Sequence, residues 1–140
     1  MTIFITLISI ILFIILIALI WNRLSDLEPN QKILTCIASV SICIVFTLII
    51  FSISSNGIDY INKEQKSIIT RTFVAIFAPI NGIIFIPYLA KIRSEAQCGN
   101  IDKKQTKRRL IILLILLILG TIIEINYFKS IQLGIIDYSN

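Results

Sequence analysis

Four long runs of apolar residues, separated by short polar segments, make up most of this chain. The runs cover residues 3–21, 33–53, 72–89 and 110–128. Each is close to the roughly 20 residues with which a helix crosses about 30 Å of hydrocarbon. Helices satisfy their own backbone hydrogen bonds in lipid, and no strand-like alternation competes with this pattern. The pattern predicts an all-α integral membrane protein, a single four-helix bundle over residues 1–140.

Composition supports lipid as the solvent of this bundle. The chain is 56% hydrophobic and only 15% charged, whereas soluble domains carry about 25% charged residues. Glu124 is the one charged residue inside the four runs. The first run has no basic residue ahead of it and no small-residue cleavage motif, so we expect a permanent span rather than a signal peptide.

Loop charges predict the orientation of the bundle. The connections after the first and third runs carry nine basic residues, and the opposite side carries four. Because cytoplasmic loops carry the excess of Lys and Arg, we expect a cytoplasmic hairpin over residues 91–109 and both termini outside. The 37 Ile against 16 Leu indicate an AT-rich gene, which favours a bacterial or mobile-element origin. We therefore expect a multi-pass protein of the bacterial inner membrane with periplasmic termini.

Local signals predict where the helices begin and end. Asn62 followed by Gln65 is typical of the N-cap of a third helix, and Asp102 is suited to cap a fourth. Gly57 suits the end of the second helix, and Gly99 marks a tight turn. The third and fourth helices are therefore expected to extend beyond the membrane and to meet in the basic hairpin.

Side chains that carry catalytic or metal chemistry are scarce. The chain has no His and three Cys, and the Cys residues lack the paired spacing of a zinc site or a disulfide framework. Without His, the commonest general base is absent. We expect no enzymatic activity, no metal and no cofactor.

A basic cluster directly precedes the fourth run. Its simplest interpretation is that it holds the loop in the cytoplasm. It could also dock an acidic protein partner or contact phosphate-bearing lipid. Direct nucleic-acid binding is not expected, because the cluster is short and lacks interleaved aromatic residues. Its members are Lys103, Lys104, Lys107, Arg108 and Arg109.

Intramembrane charge makes Glu124 a candidate functional residue, since such carboxylates usually face protein or a water-filled cavity. At 1.5 Å per residue, Glu124 lies about 22 Å beyond Arg109, toward the outer boundary. Arg71 begins the third helix on that side, just before the third run, so an ion pair between Glu124 and Arg71 is one hypothesis, within one chain or between neighbours. A role of Glu124 in ion passage or sensing is the alternative.

Proline, asparagine and small residues gather in the third run. Pro79 is expected to loosen the helix near the middle of the bilayer. Small residues let helices approach closely. The cluster predicts either a packing kink inside one bundle or the lining of an oligomer axis or hydrated crevice. Its members are Ala78, Pro79, Asn81 and Gly82.

Polar content predicts how the helices are arranged. The second run contains several Ser and Thr residues, and we expect it to be the central helix. The first run is almost wholly Ile, Leu and Phe, so we expect it to face lipid.

Three functions fit this plan. The first is a non-enzymatic sensor or scaffold that forms a homo-oligomer and docks a cytosolic effector on its basic loop. The second is an ion channel or pore-forming effector built on the third run and Glu124. The third is an immunity protein against a pore-forming bacteriocin.

The small size, four spans and basic inner loop resemble the membrane subunit of the Kiwa bacterial anti-phage system. The resemblance covers the whole chain as architecture and rests on no diagnostic motif, so it assigns no functional residue. It implies an antiviral sensor in the inner membrane, a homo-oligomer with a tetramer favoured, that works with a cytosolic DNA-binding effector. Colicin-type immunity proteins share much of this outline.

Overall fold

The computed structural model describes residues 2–24 and 27–139, and they form four α-helices. All four helices are long and apolar enough to cross a membrane. The predicted all-α architecture with four apolar helices is confirmed. The helices are α1 (Thr2–Arg23), α2 (Pro29–Ser54), α3 (Lys63–Gln97) and α4 (Lys103–Tyr138).

The third and fourth helices are longer than a bilayer requires. Helix α3 has 35 residues and α4 has 36, which corresponds to more than 50 Å at 1.5 Å per residue, against about 30 Å of hydrocarbon. They meet at a short turn over residues 98–102 and form the predicted helical hairpin. Helix α4 also continues past Phe128, where the fourth apolar run ends, to Tyr138.

The predicted helix ends are confirmed by backbone geometry. Asn62 Oδ1 accepts a hydrogen bond from the Gln65 N–H at 2.7 Å, as an N-cap should. Gly57 and Gly99 have φ angles of +78° and +73°, in the left-handed region that favours glycine. Asp102 is the N-cap of α4, and its N–H donates to Gln105 Oε1 at 3.3 Å. Helix α3 runs unbroken through Pro79, so the predicted loosening does not interrupt it.

Helices α2 and α3 together form the centre of the bundle. Each packs against the three other helices, whereas α1 and α4 lie on opposite sides of this pair and do not touch each other within the described residues. The predicted central position of α2 is therefore confirmed in part, because α3 shares it and contacts α1 more extensively than α2 does. Helix α1 is not purely lipid-facing, because Leu16 and Ile20, continued by Leu24 just past the end of the helix, form a buried stripe.

Two apolar clusters divide the bundle along its length. We call the end at which α1 and α3 finish and α2 and α4 begin the basic end, and the other end the far end. From the middle to the basic end, the α1 stripe packs on α2 and α3 around Cys43 and Ala78. At the far end, α4 packs on the same two helices through Phe128, which is fully buried against Phe51 and Phe73.

Candidate functional site

A polar network crosses the middle of the bundle and joins three helices. The Asn81 side-chain amide of α3 donates to Thr47 Oγ1 of α2 at 3.2 Å and to Glu124 Oε1 of α4 at 3.0 Å. Thr47 is fully buried and Asn81 is 8% exposed, while Glu124 is partly exposed. Polar groups without water must find partners in the protein, so these three side chains fix the register of α4 against the α2–α3 pair.

The small residues beside Asn81 are used inside one chain. A methyl group built on Gly82 would lie 2.6 Å from Leu16 Cδ2 and 3.0 Å from Cys43 Sγ, so the hydrogen of glycine allows α1, α2 and α3 to meet there. Ala78 and Pro79 are also buried. In this arrangement the cluster packs helices of one protomer, and a role along an axis between copies stays a prediction.

Arg71 does not contact Glu124 within the chain. Arg71 is exposed near the start of α3, ten positions before Asn81, which places it about 15 Å along the helix from the network. The carboxylate is bound by Asn81 instead. The hypothesis of an ion pair within one chain is therefore wrong, because residues on the same side of a membrane need not share a helix face. A pair between neighbouring copies stays a prediction.

A second polar cluster closes the far end of the bundle around Gln132, which sequence reasoning did not identify. Gln132 is fully buried. Its Oε1 accepts from the hydroxyls of Ser55 and Tyr60, and its Nε2 donates to Ser54 Oγ at 3.0 Å. Glu124, Phe128 and Gln132 follow at four-residue intervals and so share one face of α4. That spacing is the sequence signal from which Gln132 could have been identified.

The basic cluster divides into two parts that differ in burial and in ion pairing. Arg109 is partly buried and forms an ion pair with Glu95 of α3, which ties the two arms of the hairpin together. The other four side chains are exposed, and no ion pair engages them among the described residues. Positions i, i+1, i+4 and i+5 fall within a sector of about 140° on a helix. We call this surface the basic face, and its members are Lys103, Lys104, Lys107 and Arg108.

The hairpin holds the basic face in a defined position. At the end of α3, the Asn100 N–H donates to the Glu95 carbonyl at 3.0 Å and the Gly99 N–H donates to the Ala96 carbonyl. These two bonds form the Schellman motif that ends many helices. The chain then enters α4 at the Asp102 N-cap. Backbone bonds therefore fix the position from which the four charged side chains project.

Metal-type ligands are not grouped in the described part of the chain, and its buried polar atoms are all paired. Across residues 2–24 and 27–139, no group of three or more His, Cys, Asp or Glu side chains lies together as metal ligands would. Every buried side-chain nitrogen or oxygen in the same part of the chain has a hydrogen-bond partner. Comparison with protein-family models, curated proteins and solved structures finds no match to this chain.

Proposed function

We propose that this chain is a non-enzymatic sensor or scaffold of the bacterial inner membrane, which assembles as a homo-oligomer and docks a cytosolic protein. The basic face is the proposed docking surface, and an acidic surface on the partner would match it. The observation that carries the proposal is that four exposed cations on one face of α4 have no ion pair among the described residues. Complementary charge steers association and selects the partner.

Assembly into an oligomer would strengthen such docking. The extramembrane part of one chain is small, and four charges on one helix supply limited affinity because exposed ion pairs contribute about 0–1 kcal/mol each. Several copies around an axis would repeat the basic face and bind a multivalent partner far more tightly. We expect a homo-oligomer, with a tetramer favoured, in mass measurements on nanodiscs.

The docking proposal is tested with a poly-glutamate peptide added to protein in nanodiscs of neutral lipid. The triple variant Lys103→Glu, Lys104→Glu, Arg108→Glu should lose binding, because it reverses the charge of the basic face. The matched control reverses three exposed basic residues at the far end, Lys63, Lys66 and Arg71. Retained binding by the first variant, or equal loss in both, would reject the basic face as the docking surface.

The proposed orientation can be tested with the native cysteines. Cys98 is exposed in the hairpin turn, whereas Cys36 and Cys43 are buried within the bundle. A membrane-impermeant maleimide should therefore label Cys98 in opened cells or inverted vesicles and leave it unlabelled in intact cells. A Cys98→Ser variant provides the background signal. Labelling of Cys98 in intact cells would place the basic face outside and overturn the cytosolic partner.

A channel or pore-forming effector is the second candidate function. Its support is the Thr47–Asn81–Glu124 network, which places a carboxylate and an amide at the middle of apolar helices. Intramembrane carboxylates commonly mark ion or proton pathways. In planar bilayers a channel should conduct and a Glu124→Gln variant should change the conductance, whereas a scaffold should stay silent.

The Kiwa-type resemblance and the immunity function are hypotheses about the cellular process in which the chain acts. A neighbouring gene for a DNA-binding effector would favour the anti-phage sensor, and a neighbouring toxin gene would favour an immunity protein. Cells with and without this chain, challenged with the toxin or with phage, would distinguish the two. Both hypotheses place the chain in the bacterial inner membrane.

A further inference from the structure

Helix α4 stands away from α2 and α3 in the half of the bundle near the basic end, which leaves an apolar crevice. The crevice has a volume of about 320 Å³, within the usual range for small-molecule sites. Its walls are apolar side chains of all three helices, among them Phe46, Phe85 and Leu113. Asn81 lies in its wall, and the amide of Asn81 is already bonded to Thr47 and Glu124. An apolar ligand therefore suits this space.

A second cavity continues the crevice toward the basic end. It has a volume of about 550 Å³ and shares Ile42, Ile86 and Leu89 with the first cavity. Arg93, Gln31 and Gln97 line its outer part. The two cavities are adjacent along α2 and α3 and run from polar and charged side chains to apolar ones, and we call them together the path. Helix α4 lines only the inner cavity, whereas the outer one lies between α2 and α3 beside Leu24.

The dimensions of this path match one leaflet of a bilayer. Along α3, Asn81 and Arg93 are about 18 Å apart at 1.5 Å per residue. Half of the roughly 30 Å hydrocarbon core is about 15 Å. An acyl chain that lies along the path would therefore reach the level of Asn81 while its headgroup stays near Arg93.

Charge at the mouth of the path favours an anionic headgroup. Arg93 is exposed, and no acidic group forms an ion pair with it among the described residues. The nearest acidic residue in sequence, Glu95, is engaged by Lys91 and Arg109. Guanidinium groups bind phosphate oxygens in a two-pronged geometry. The amide side chains of Gln31 and Gln97 supply additional hydrogen-bond donors beside Arg93.

We propose that this path is a binding site for one anionic phospholipid from the leaflet on the basic side. One acyl chain lies between α4 and the α2–α3 pair, and the phosphate is bound by Arg93. The lipid fills the space that α4 leaves open and so links α4 to the rest of the bundle. The site is separate from the basic face and does not depend on the proposed docking function.

The proposal is tested by native mass spectrometry of the full chain released from vesicles of phosphatidylglycerol and phosphatidylcholine. The wild type should retain phosphatidylglycerol in preference to phosphatidylcholine. An Arg93→Gln variant should weaken that retention about fivefold, since a basic residue near an anionic headgroup contributes about that factor. The matched control is Arg23→Gln, an exposed basic residue at the same end that does not line the path.

A second pair of variants tests whether an acyl chain enters the path. Ala38 lines the outer cavity, and Ala38→Phe should reduce retention of both lipids. Ala18→Phe, at an exposed alanine of α1 away from the path, should leave retention unchanged. Thermal stability provides a second readout, because a lipid bound only to the folded state raises the melting temperature. Phosphatidylglycerol should stabilise the wild type and the Arg23→Gln variant more than Arg93→Gln.

Three outcomes would overturn the lipid site. The first is equal retention of the two lipids by the wild type. The second is an equal loss of phosphatidylglycerol in Arg93→Gln and Arg23→Gln, which would indicate general attraction to charge. The third is a change of oligomeric mass in Ala38→Phe with the lipid count unchanged, which would mean that a second copy occupies the crevice.

Discussion

The two halves of the bundle differ in which outer helix packs on the α2–α3 pair. At the far end, α4 is held by four aromatic rings, Phe51, Phe73, Phe77 and Phe128, whose neighbouring centroids lie 4.3 to 5.8 Å apart. Toward the basic end, α1 fills this role through Leu16, Ile20 and Leu24, and α4 stands away. The same helix is thus a core element at one end and a loosely packed arm at the other.

Because of this difference, the side chains of α4 that stabilise the bundle and those that are free to bind lie in different halves of the molecule. The aromatic rings, the buried Gln132 and the network around Asn81 hold α4 in place at the middle of the bundle and toward the far end. Near the basic end, α4 carries the exposed cations and one wall of the crevice. Regions with few buried contacts open most readily and commonly carry ligands. We call the part of α4 near the basic end the basic arm. It is therefore the part expected to respond to a partner or a lipid.

The largest expected effect comes from Phe128. Truncation to Ala removes a fully buried ring from the far cluster and should cost about 3 kcal/mol of unfolding free energy, at the low end for aromatic truncation. The low end is expected because the driving force between helices in lipid is mainly packing. Leu114→Ala, in the crevice wall of the same helix, is the control and should cost much less. Reversible unfolding in mixed micelles measures both, and equal costs would break the contrast between the halves.

The network around Asn81 should give the next largest effect. Asn81→Leu removes the donor that engages Glu124 and Thr47 and should cost about 1–2 kcal/mol, since a polar group left without a partner costs that much. Asn126→Leu is the control, because Asn126 is exposed and its amide, among the described residues, donates only to the Ile122 carbonyl of its own helix.

A double-mutant cycle isolates the bond between α3 and α4. Asn81→Leu combined with Glu124→Leu should destabilise the bundle by less than the sum of the single variants, because each single change leaves one partner unpaired. Additive costs would mean that the two side chains do not stabilise each other and that α4 is held by the rings alone.

Hydropathy and local chemistry were sufficient to predict the four helices and where they end. The four helices follow from their apolar runs, and Asn62, Asp102 and Gly99 mark ends because each has a local bonding pattern. The central position that α3 shares with α2 could not be obtained in the same way. Hydroxyl content indicated α2 alone, but close approach depends on shape, and Gly82 gives α3 the smooth surface on which α1 and α2 meet.

The sequence predicted which residues belong to the candidate site, but not which of them bond to each other. Asn81 and Glu124 were singled out as polar groups within apolar runs, and they prove to be bonded to each other. Arg71 was chosen as the partner of Glu124 by depth alone, which contains no information about helix rotation. Gln132 lies beyond the fourth apolar run, so it was not weighed although it shares a face with Phe128.

A substitution at Gly82 tests how closely α1 packs on α3 in the half of the bundle near the basic end. Gly82→Ala places a methyl group 2.6 Å from the buried Leu16 side chain, so we expect a loss of about 1 kcal/mol from overpacking, offset in part by the better helix propensity of Ala. Gly134→Ala is the matched control, because nothing lies within 4 Å of the added methyl group. It should be neutral or slightly stabilising. Equal behaviour of the two variants would mean that α1 is not closely packed at this position.

The smallest expected effect tests how the basic arm of α4 is held. Arg109→Gln removes the ion pair with Glu95 and should cost about 0.5 kcal/mol, because both side chains are partly exposed and screened. Faster hydrogen exchange of the amides in the hairpin turn should report the loss. Arg108→Gln has the same chemistry on the neighbouring residue, forms no ion pair in the described chain and should leave exchange unchanged. Equal protection in both variants would show that backbone bonds at Gly99 and Asn100, rather than charge, hold the arm in place.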